Sequence, residues 1–173
     1  MEPFKNLLNP ALVRAAAAQL ARHGDIDAAR LARLATEGLE GLEMKARALQ
    51  IAGALEATLP ARFDEAAALI EAALAPAEAG EAMAQLDGLE QGLRGWILWP
   101  VGEFVARRGL AEPGRALATL HALTQRFTAE FAIRPFIVEL PALVFRTLVG
   151  WTTDPCHHVR RLVLAGLGER GAD

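Results

Sequence analysis

The stretch FTAEFAIRPFIVELPALVFRTLVGWTTDPCHHVRR, residues 127–161, contains one local pattern twice. In each copy, a residue type that favours helix N-termini is followed five and six places later by a branched apolar residue and an arginine. These residues are Thr128, Ile133 and Arg134 in the first copy, and Asp154, Val159 and Arg160 in the second. Recurrence of the pattern after 26 residues predicts stacked copies of one helical unit.

The composition extends this prediction to the whole chain. The 173 residues are 53% hydrophobic and rich in alanine and leucine, with no tyrosine and few β-branched residues, which favours helix over strand. Most of the 15 glycines and 9 prolines fall between apolar periodic segments, where they are expected to separate short helices. We therefore predict one all-α domain over residues 1–173, a HEAT-like superhelix of nine or ten short helices packed as antiparallel pairs.

Helix boundaries follow from capping residues and prolines. Asn9 and Pro10 start a helix that reaches about His23, and Asp25 or Asp27 caps the next. Later helices are expected at about Leu42–Ala57, Arg62–Ala75, Pro100–Arg108 and Pro113–Arg126. The next helix is capped by Thr128 and is interrupted or bent at Pro135. The last two are expected at Pro141–Trp151 and after the helix start Asp154–Pro155. Residues 75–95 are small, acidic and rich in glycine, and are predicted to form a long, mobile loop.

Charge and cysteine content narrow the function classes. The net charge is −3, yet residues 1–93 carry 8 Lys or Arg against 14 Asp or Glu, a net of −6, whereas residues 94–173 carry 10 against 7, a net of +3. The C-terminal half is thus a candidate surface for binding a polyanion. The alternative is that the charge difference between the halves is ordinary scatter among exposed residues. Cys156 is the only cysteine, and neither a signal peptide nor a membrane span is recognisable, so we expect a soluble cytoplasmic protein without internal disulfides.

Three phrases carry a family resemblance. They are LEMKARALQIAGALEATLP at 42–60, FTAEFAIRPF at 127–136 and WTTDPCHHVRRL at 151–162, in a match that runs from about Phe4 to Leu162. The sequence resembles the AlkC branch of the AlkC/AlkD DNA-alkylation-repair family. The resemblance implies a HEAT-like solenoid that wraps duplex DNA and, without metal or cofactor, removes cationic alkylated purines such as 3-methyladenine or 7-methylguanine.

The end of the last motif departs from that family. After the Val-Arg-Arg of the last helix, AlkC-like proteins continue with a segment that contains a glutamate and an arginine-proline run. This chain instead reads VLAGLGERGAD, and Ala165 stands at the position of the glutamate. A non-catalytic protein that binds DNA or damaged DNA is therefore an alternative to a glycosylase. A scaffold that binds a protein partner through the acidic N-terminal half is a third possibility.

Two carboxylates are candidate catalytic groups. Loss of a cationic purine gives the sugar oxocarbenium character, which a nearby carboxylate stabilises electrostatically or by orienting water. Glu130 lies in the best-matched motif, and its alternative role is to complement a helix dipole. Asp154 is the second candidate, and an N-cap at an Asp-Pro helix start explains it equally.

Aromatic and basic residues in the same region are candidate DNA or lesion contacts. The Trp151 indole could lie against a cationic base through a cation–π contact, or it could be a core residue. Basic side chains near a helix N-terminus suit phosphate, and the alternative for them is ion pairing within the repeat. These basic residues are Arg134, His157, Arg160 and Arg161.

Two further features, the Cys-His-His run and the tryptophans at positions 96 and 99, are not predicted to form functional sites of their own. Cys156, His157 and His158 are consecutive, so on a helix their side chains point about 100° apart and cannot converge on one metal ion. We therefore expect no metal site there. Trp96 and Trp99 flank a predicted helix start and are expected to be packing anchors.

Overall fold

A computed structural model describes residues 2–77 and 88–168. In this part of the chain there are nine α-helices. They are α1 (Pro10–Ala21), α2 (Ala28–Thr36), α3 (Met44–Thr58), α4 (Phe63–Ala73), α5 (Leu98–Gly109), α6 (Pro113–Thr124), α7 (Glu130–Glu139), α8 (Pro141–Trp151) and α9 (His157–Gly168). Short 3₁₀ turns lie at Phe4–Leu7, Leu39–Gly41 and Gly95–Ile97. The predicted all-α class is confirmed.

The helices stack in two rows. In one row α2 packs on α3, α3 on α5, α5 on α7 and α7 on α9; in the other, α1 contacts α4 and α4 contacts α6. Helix α5 is central, because it contacts α3, α4, α6 and α7. None of the helices in residues 2–77 and 88–168 is long and apolar enough to cross a membrane.

Several predicted helix starts are confirmed. The Asn9 side chain accepts a hydrogen bond from the Leu12 amide at 2.9 Å, and that of Asp27 accepts one from the Arg30 amide at 2.9 Å. Asp27, rather than Asp25, is thus the N-cap of α2. Prolines begin α1, α6 and α8, where a missing amide hydrogen costs no intrahelical bond.

Some predicted boundaries are wrong. Helix α5 begins at Leu98 rather than Pro100, because a proline in the first helical turn has no intrahelical bond to lose. Pro135 lies inside α7 without interrupting it. Thr128 is not the N-cap of α7, which is Ala129, and α9 begins at His157 rather than directly after Asp154.

The predicted repeat nevertheless has a structural counterpart. The Thr128 hydroxyl accepts a hydrogen bond from the amide two residues on at 3.3 Å, and the Asp154 carboxylate accepts one from the amide two residues on at 2.8 Å. Ile133 and Val159 are buried while the arginine after each is exposed, and the helices that carry them, α7 and α9, are in contact. Both turns are therefore closed by the same kind of hydrogen bond, and the helix after each turn buries an apolar residue at the same position.

The predicted loop over residues 75–95 is described only at its two ends. Residues 78–87, where we predicted mobility, lie outside the described residues. Leu74 and Leu93 form an isolated parallel bridge, with the Leu93 amide donating to the Ala73 carbonyl at 2.8 Å. The Gln19 side chain of α1 donates to the Leu89 carbonyl at 2.5 Å, so the segment around Leu89 is held against α1.

Arg47 of α3 is a buried structural centre. Only 2% of this residue is exposed, and its guanidinium donates to four backbone carbonyls in the segments before α3. The acceptors are the carbonyls of Lys5, Leu8, Glu40 and Leu42. A planar group with five donors can serve several carbonyls that the protein buries, so Arg47 holds the N-terminal turns against α3.

We expect Arg47→Met to destabilise the protein by about 3 kcal/mol or more, because at least two charge-assisted hydrogen bonds of about 1.5 kcal/mol each are lost and buried carbonyls are left without donors. Urea unfolding followed by circular dichroism measures the change. Arg33→Met, at an exposed arginine of α2, is the matched control. Equal stability of the two variants would contradict the role given to Arg47.

Candidate functional site

The C-terminal end of α6 meets the beginnings of α7 and α9, and the candidate residues collect there in two groups. The first group is built around Glu130, the first residue of α7. Glu130 Oε1 lies 3.9 Å from Arg161 Nη2 on α9. The side chain of Glu130 is 32% exposed and that of Arg161 is 72% exposed. A carboxylate of one repeat and a guanidinium of the next thus face each other at the surface.

A small cavity of about 30 Å³ adjoins Glu130. Its lining residues are Thr124, Thr128, Glu130, His158, Arg161 and Leu162. A volume of roughly 10–15 Å³ suffices for one water molecule, so this cavity has room for water and none for a purine. Hydroxyl, carboxylate and guanidinium groups supply the polar partners that such a water needs.

The second group is built around Asp154, in the turn before α9. Its Oδ2 lies 2.7 Å from His121 Nε2 of α6, and its Oδ1 accepts the Cys156 amide at 2.8 Å. Gln125 Nε2 approaches the other ring nitrogen, His121 Nδ1, at 3.2 Å. The Asp154 side chain is 14% exposed, so its two oxygens are held largely out of solvent.

These contacts set the charge of the Asp154 carboxyl. Burial raises its pKa, but the hydrogen bonds from His121 and the Cys156 amide, together with the charges of His121 and Arg160, outweigh burial and lower the pKa below its usual value. Asp154 is therefore ionised across the neutral range. Its position before α9 also fits a turn-forming role, as the sequence allowed.

Trp151, at the end of α8, belongs with the second group. Its ring centroid lies 5.1 Å from that of His121, with the planes at 57°. It lines an open groove of about 370 Å³ between α6 and α8, with Gly114, Leu117, Ala118, His121 and Thr147. The indole is partly exposed there, so Trp151 packs against the core without being fully buried, and it is not among the residues that line the cavity beside Glu130.

The predicted basic residues divide among different partners. Arg160 Nη1 donates to the carbonyls of Asp154 and Pro155, which braces the turn before α9. The Arg134 guanidinium carbon lies 5.0 Å from the Phe131 ring centroid, over the ring. His157 is exposed, with its ring centroid 3.8 Å from that of His158. The structure thus brings Arg161 to Glu130 and Arg160 to Asp154.

Sequence reasoning missed three residues of this region. His121, in the last turn of α6, and Gln125, its C-cap residue, lie one turn apart, and that spacing was the available signal. Phe131 follows Glu130, is 47% exposed, and stacks on Trp99 with centroids 5.2 Å apart and planes at 14°. The expected packing role of Trp96 and Trp99 is confirmed, since Trp96 contacts the rings of Phe4 and Phe127.

Within residues 2–77 and 88–168, no group of three or more His, Cys, Asp or Glu side chains is placed to hold a metal ion.

The lowered pKa of Asp154 makes a stability contribution that depends on pH. Since the folded-state pKa lies below that of the unfolded chain, about 3.9, the ionised carboxylate stabilises the fold above that pH, and the contribution is lost as pH falls through the folded-state value. We expect Asp154→Asn to be destabilised at pH 7 and the difference from wild type to shrink below about pH 4. Urea unfolding at several pH values tests this, with the exposed Asp25→Asn as control. A difference independent of pH would contradict the assignment.

Comparisons with known proteins agree with this architecture. No family model matches the chain. The uncharacterized protein YhaZ of Bacillus subtilis (strain 168) is 29% identical over 125 residues, covering 72% of this chain and 30% of YhaZ. The structure of Pseudomonas fluorescens alkylpurine DNA glycosylase AlkC, bound to DNA containing an abasic site analog, matches with a TM-score of 0.79 and 23% identity, over 96% of this chain and 43% of that chain. The chain spans less than half the length of either protein, and over nearly all of its own length it has the fold of AlkC.

Proposed function

We propose that this chain binds duplex DNA and excises cationic alkylated purines, such as 3-methyladenine or 7-methylguanine, as a DNA N-glycosylase. The observation that carries the proposal is the Glu130–Arg161 pair, with 3.9 Å between Oε1 and Nη2, at the junction of α7 and α9. Two facts support it: the fold matches that of a glycosylase bound to abasic-site DNA, and Glu130 lies in the motif that resembles the same family.

The main requirement of the reaction is electrostatic stabilisation of its transition state by the protein. The bond from C1′ to the purine nitrogen breaks with its electron pair passing to the purine, whose positive charge is thereby neutralised. Water adds its hydroxyl to C1′ and releases a proton. A carboxylate beside the sugar stabilises the oxocarbenium character of C1′ in the transition state, and Glu130 supplies it in this proposal. The abasic product would then enter base-excision repair.

Arg161 has two roles in the proposal. Beside Glu130 it orients the carboxylate, and with 72% of its side chain exposed it can also reach a DNA phosphate. Arg134 and His157 are further exposed basic residues of the C-terminal half, whose net charge is +3. Arg160 braces the turn before α9, so its contribution to phosphate binding is the smaller one.

The alternative is a non-catalytic DNA or damage binder. Ala165 favours it, since this residue of α9 stands where the resembling family has a glutamate. A binder predicts the same phosphate contacts without base release. The acidic N-terminal half, with a net charge of −6, could serve a protein partner in either case.

We expect the protein to release alkylated purines from methylated duplex DNA, and Glu130→Gln to slow release by roughly 100–1000-fold, the usual cost of removing one electrostatic catalytic group. Chromatography of the released bases under single-turnover conditions measures the rate. Glu139→Gln, at an exposed glutamate at the other end of α7, is the control and should release bases at the wild-type rate. Failure of wild type to release any base, under conditions in which Pseudomonas fluorescens AlkC does so, would refute the glycosylase and favour the binder.

DNA binding is tested separately through its salt dependence. Each neutralised phosphate adds roughly 0.9 to the slope of log K against log salt, so Arg161→Gln should reduce that slope by about 1. Fluorescence anisotropy with a labelled duplex measures it. Arg14→Gln, at an exposed arginine of α1 in the acidic half, should leave the slope unchanged. Binding that does not respond to salt would contradict both DNA-binding proposals.

A further inference from the structure

A continuous line of hydrogen bonds runs from α6 to the start of α9. Gln125 Nε2 lies 3.2 Å from His121 Nδ1, His121 Nε2 lies 2.7 Å from Asp154 Oδ2, and Asp154 Oδ1 accepts the Cys156 amide at 2.8 Å. The line joins three side chains that the repeat motif alone does not connect. Its centre, His121, is one of the residues that sequence reasoning missed.

The direction of two of these hydrogen bonds follows from the chemistry of their groups. The Cys156 amide can only donate, so Asp154 Oδ1 accepts from it. The ionised Asp154 carboxylate can only accept, so His121 Nε2 donates its proton to Oδ2, at 2.7 Å. Gln125 contacts the other ring nitrogen at 3.2 Å and holds the ring in this orientation.

We propose that His121 is a positioning residue of the candidate site: oriented by its contact with Gln125, it donates from Nε2 and fixes the Asp154 carboxylate in place. The inference rests on the proposed function, because it assigns Asp154 a role in the same reaction. The two oxygens are engaged from opposite partners, His121 and the Cys156 amide, so the carboxylate cannot rotate without losing a hydrogen bond. Asp154 acts as a fixed negative charge, and Glu130, more exposed, acts at the sugar.

Groups from three neighbouring elements face the His121–Asp154 pair. On the α9 side, Arg160 braces the same turn and lowers the pKa of Asp154 through its charge. On the α6 side, Arg126 is turned toward the Ala75 carbonyl, and on α8 the partner ring is the uncharged Trp151. Because His121 and the Cys156 amide hold its two oxygens, the carboxylate presents its negative charge in one orientation to a developing oxocarbenium.

The hydrogen bond is measured directly on the full chain by ¹⁵N NMR of the histidine side chains at pH 7, with His121→Gln to assign the signals. We expect a proton on Nε2 of His121, because that nitrogen donates to Asp154. A wild-type ring whose Nε2 carries no proton would overturn the proposal.

The link to Asp154 is measured by ¹³C titration of its carboxyl in the same samples. In His121→Leu the donor is lost and the pKa of Asp154 should rise toward its usual value, whereas His121→Gln, which keeps a donor, should shift it less. Thr58→Val, on α3 and away from the groove, where the threonine hydroxyl donates to the Ala54 carbonyl of its own helix, should leave the titration unchanged. An Asp154 titration unaltered in His121→Leu would overturn the inference.

Activity then separates the inference from the function on which it rests. We expect base release to fall roughly 10–100-fold in His121→Leu, with partial recovery in His121→Gln and no change in Thr58→Val. Normal release by a folded His121→Leu would refute the positioning role and leave the glycosylase standing. Absence of release by wild type, together with the expected Nε2 proton and titration, would refute the glycosylase and leave a structural His121–Asp154 pair.

Discussion

The close approach of α5 to its neighbours is the constraint on which the rest of the stack depends. Gly102 faces Ala132 of α7 so closely that an added Cβ would lie 3.1 Å from the alanine methyl, and one added at Gly109 would lie 2.5 Å from the Ala116 methyl of α6. Larger side chains at these glycines would have to push the helices apart, at a cost typical of overpacked cores. Because α5 touches both α6 and α7, its packing sets where the end of α6 meets the beginning of α7, and α9 packs against both.

The fold was largely predictable because its local signals agree with one another. Helix starts marked by Asn9, Pro113 and Pro141 lie where capping chemistry places them, and the buried face of α3 follows helical periodicity. Two misplaced boundaries have different physical causes. The sequence predicts a helix start at Pro100, but a proline is equally tolerated deeper in the first turn. It also predicts one at Asp154, but this side-chain acceptor closes a turn before the helix begins.

The candidate site was predictable only in part, because sequence spacing reports neighbours along one helix and not across three. The motif placed Glu130 and Arg161 on successive units, and their approach follows from the stacking of α7 on α9. The pairing of His121 with Asp154 joins residues 33 positions apart, one on α6 and the other in the turn before α9. No local sequence pattern predicts a contact between residues so far apart in the sequence. It arises from the packing of α6 on α9, which the sequence implies only through the whole stack.

The two carboxylates differ in a way that bears on the proposed chemistry. Asp154 has both oxygens occupied by donors and is 14% exposed, so it is a fixed charge and a weak proton acceptor. Glu130 is 32% exposed and opens onto a cavity of about 30 Å³, which has room for water but not for a base. Under the proposed function, the purine would remain outside the protein core while the sugar approaches Glu130. Such an arrangement suits a leaving group that already carries positive charge, since the departing base then needs no protonation and no buried acid to supply it.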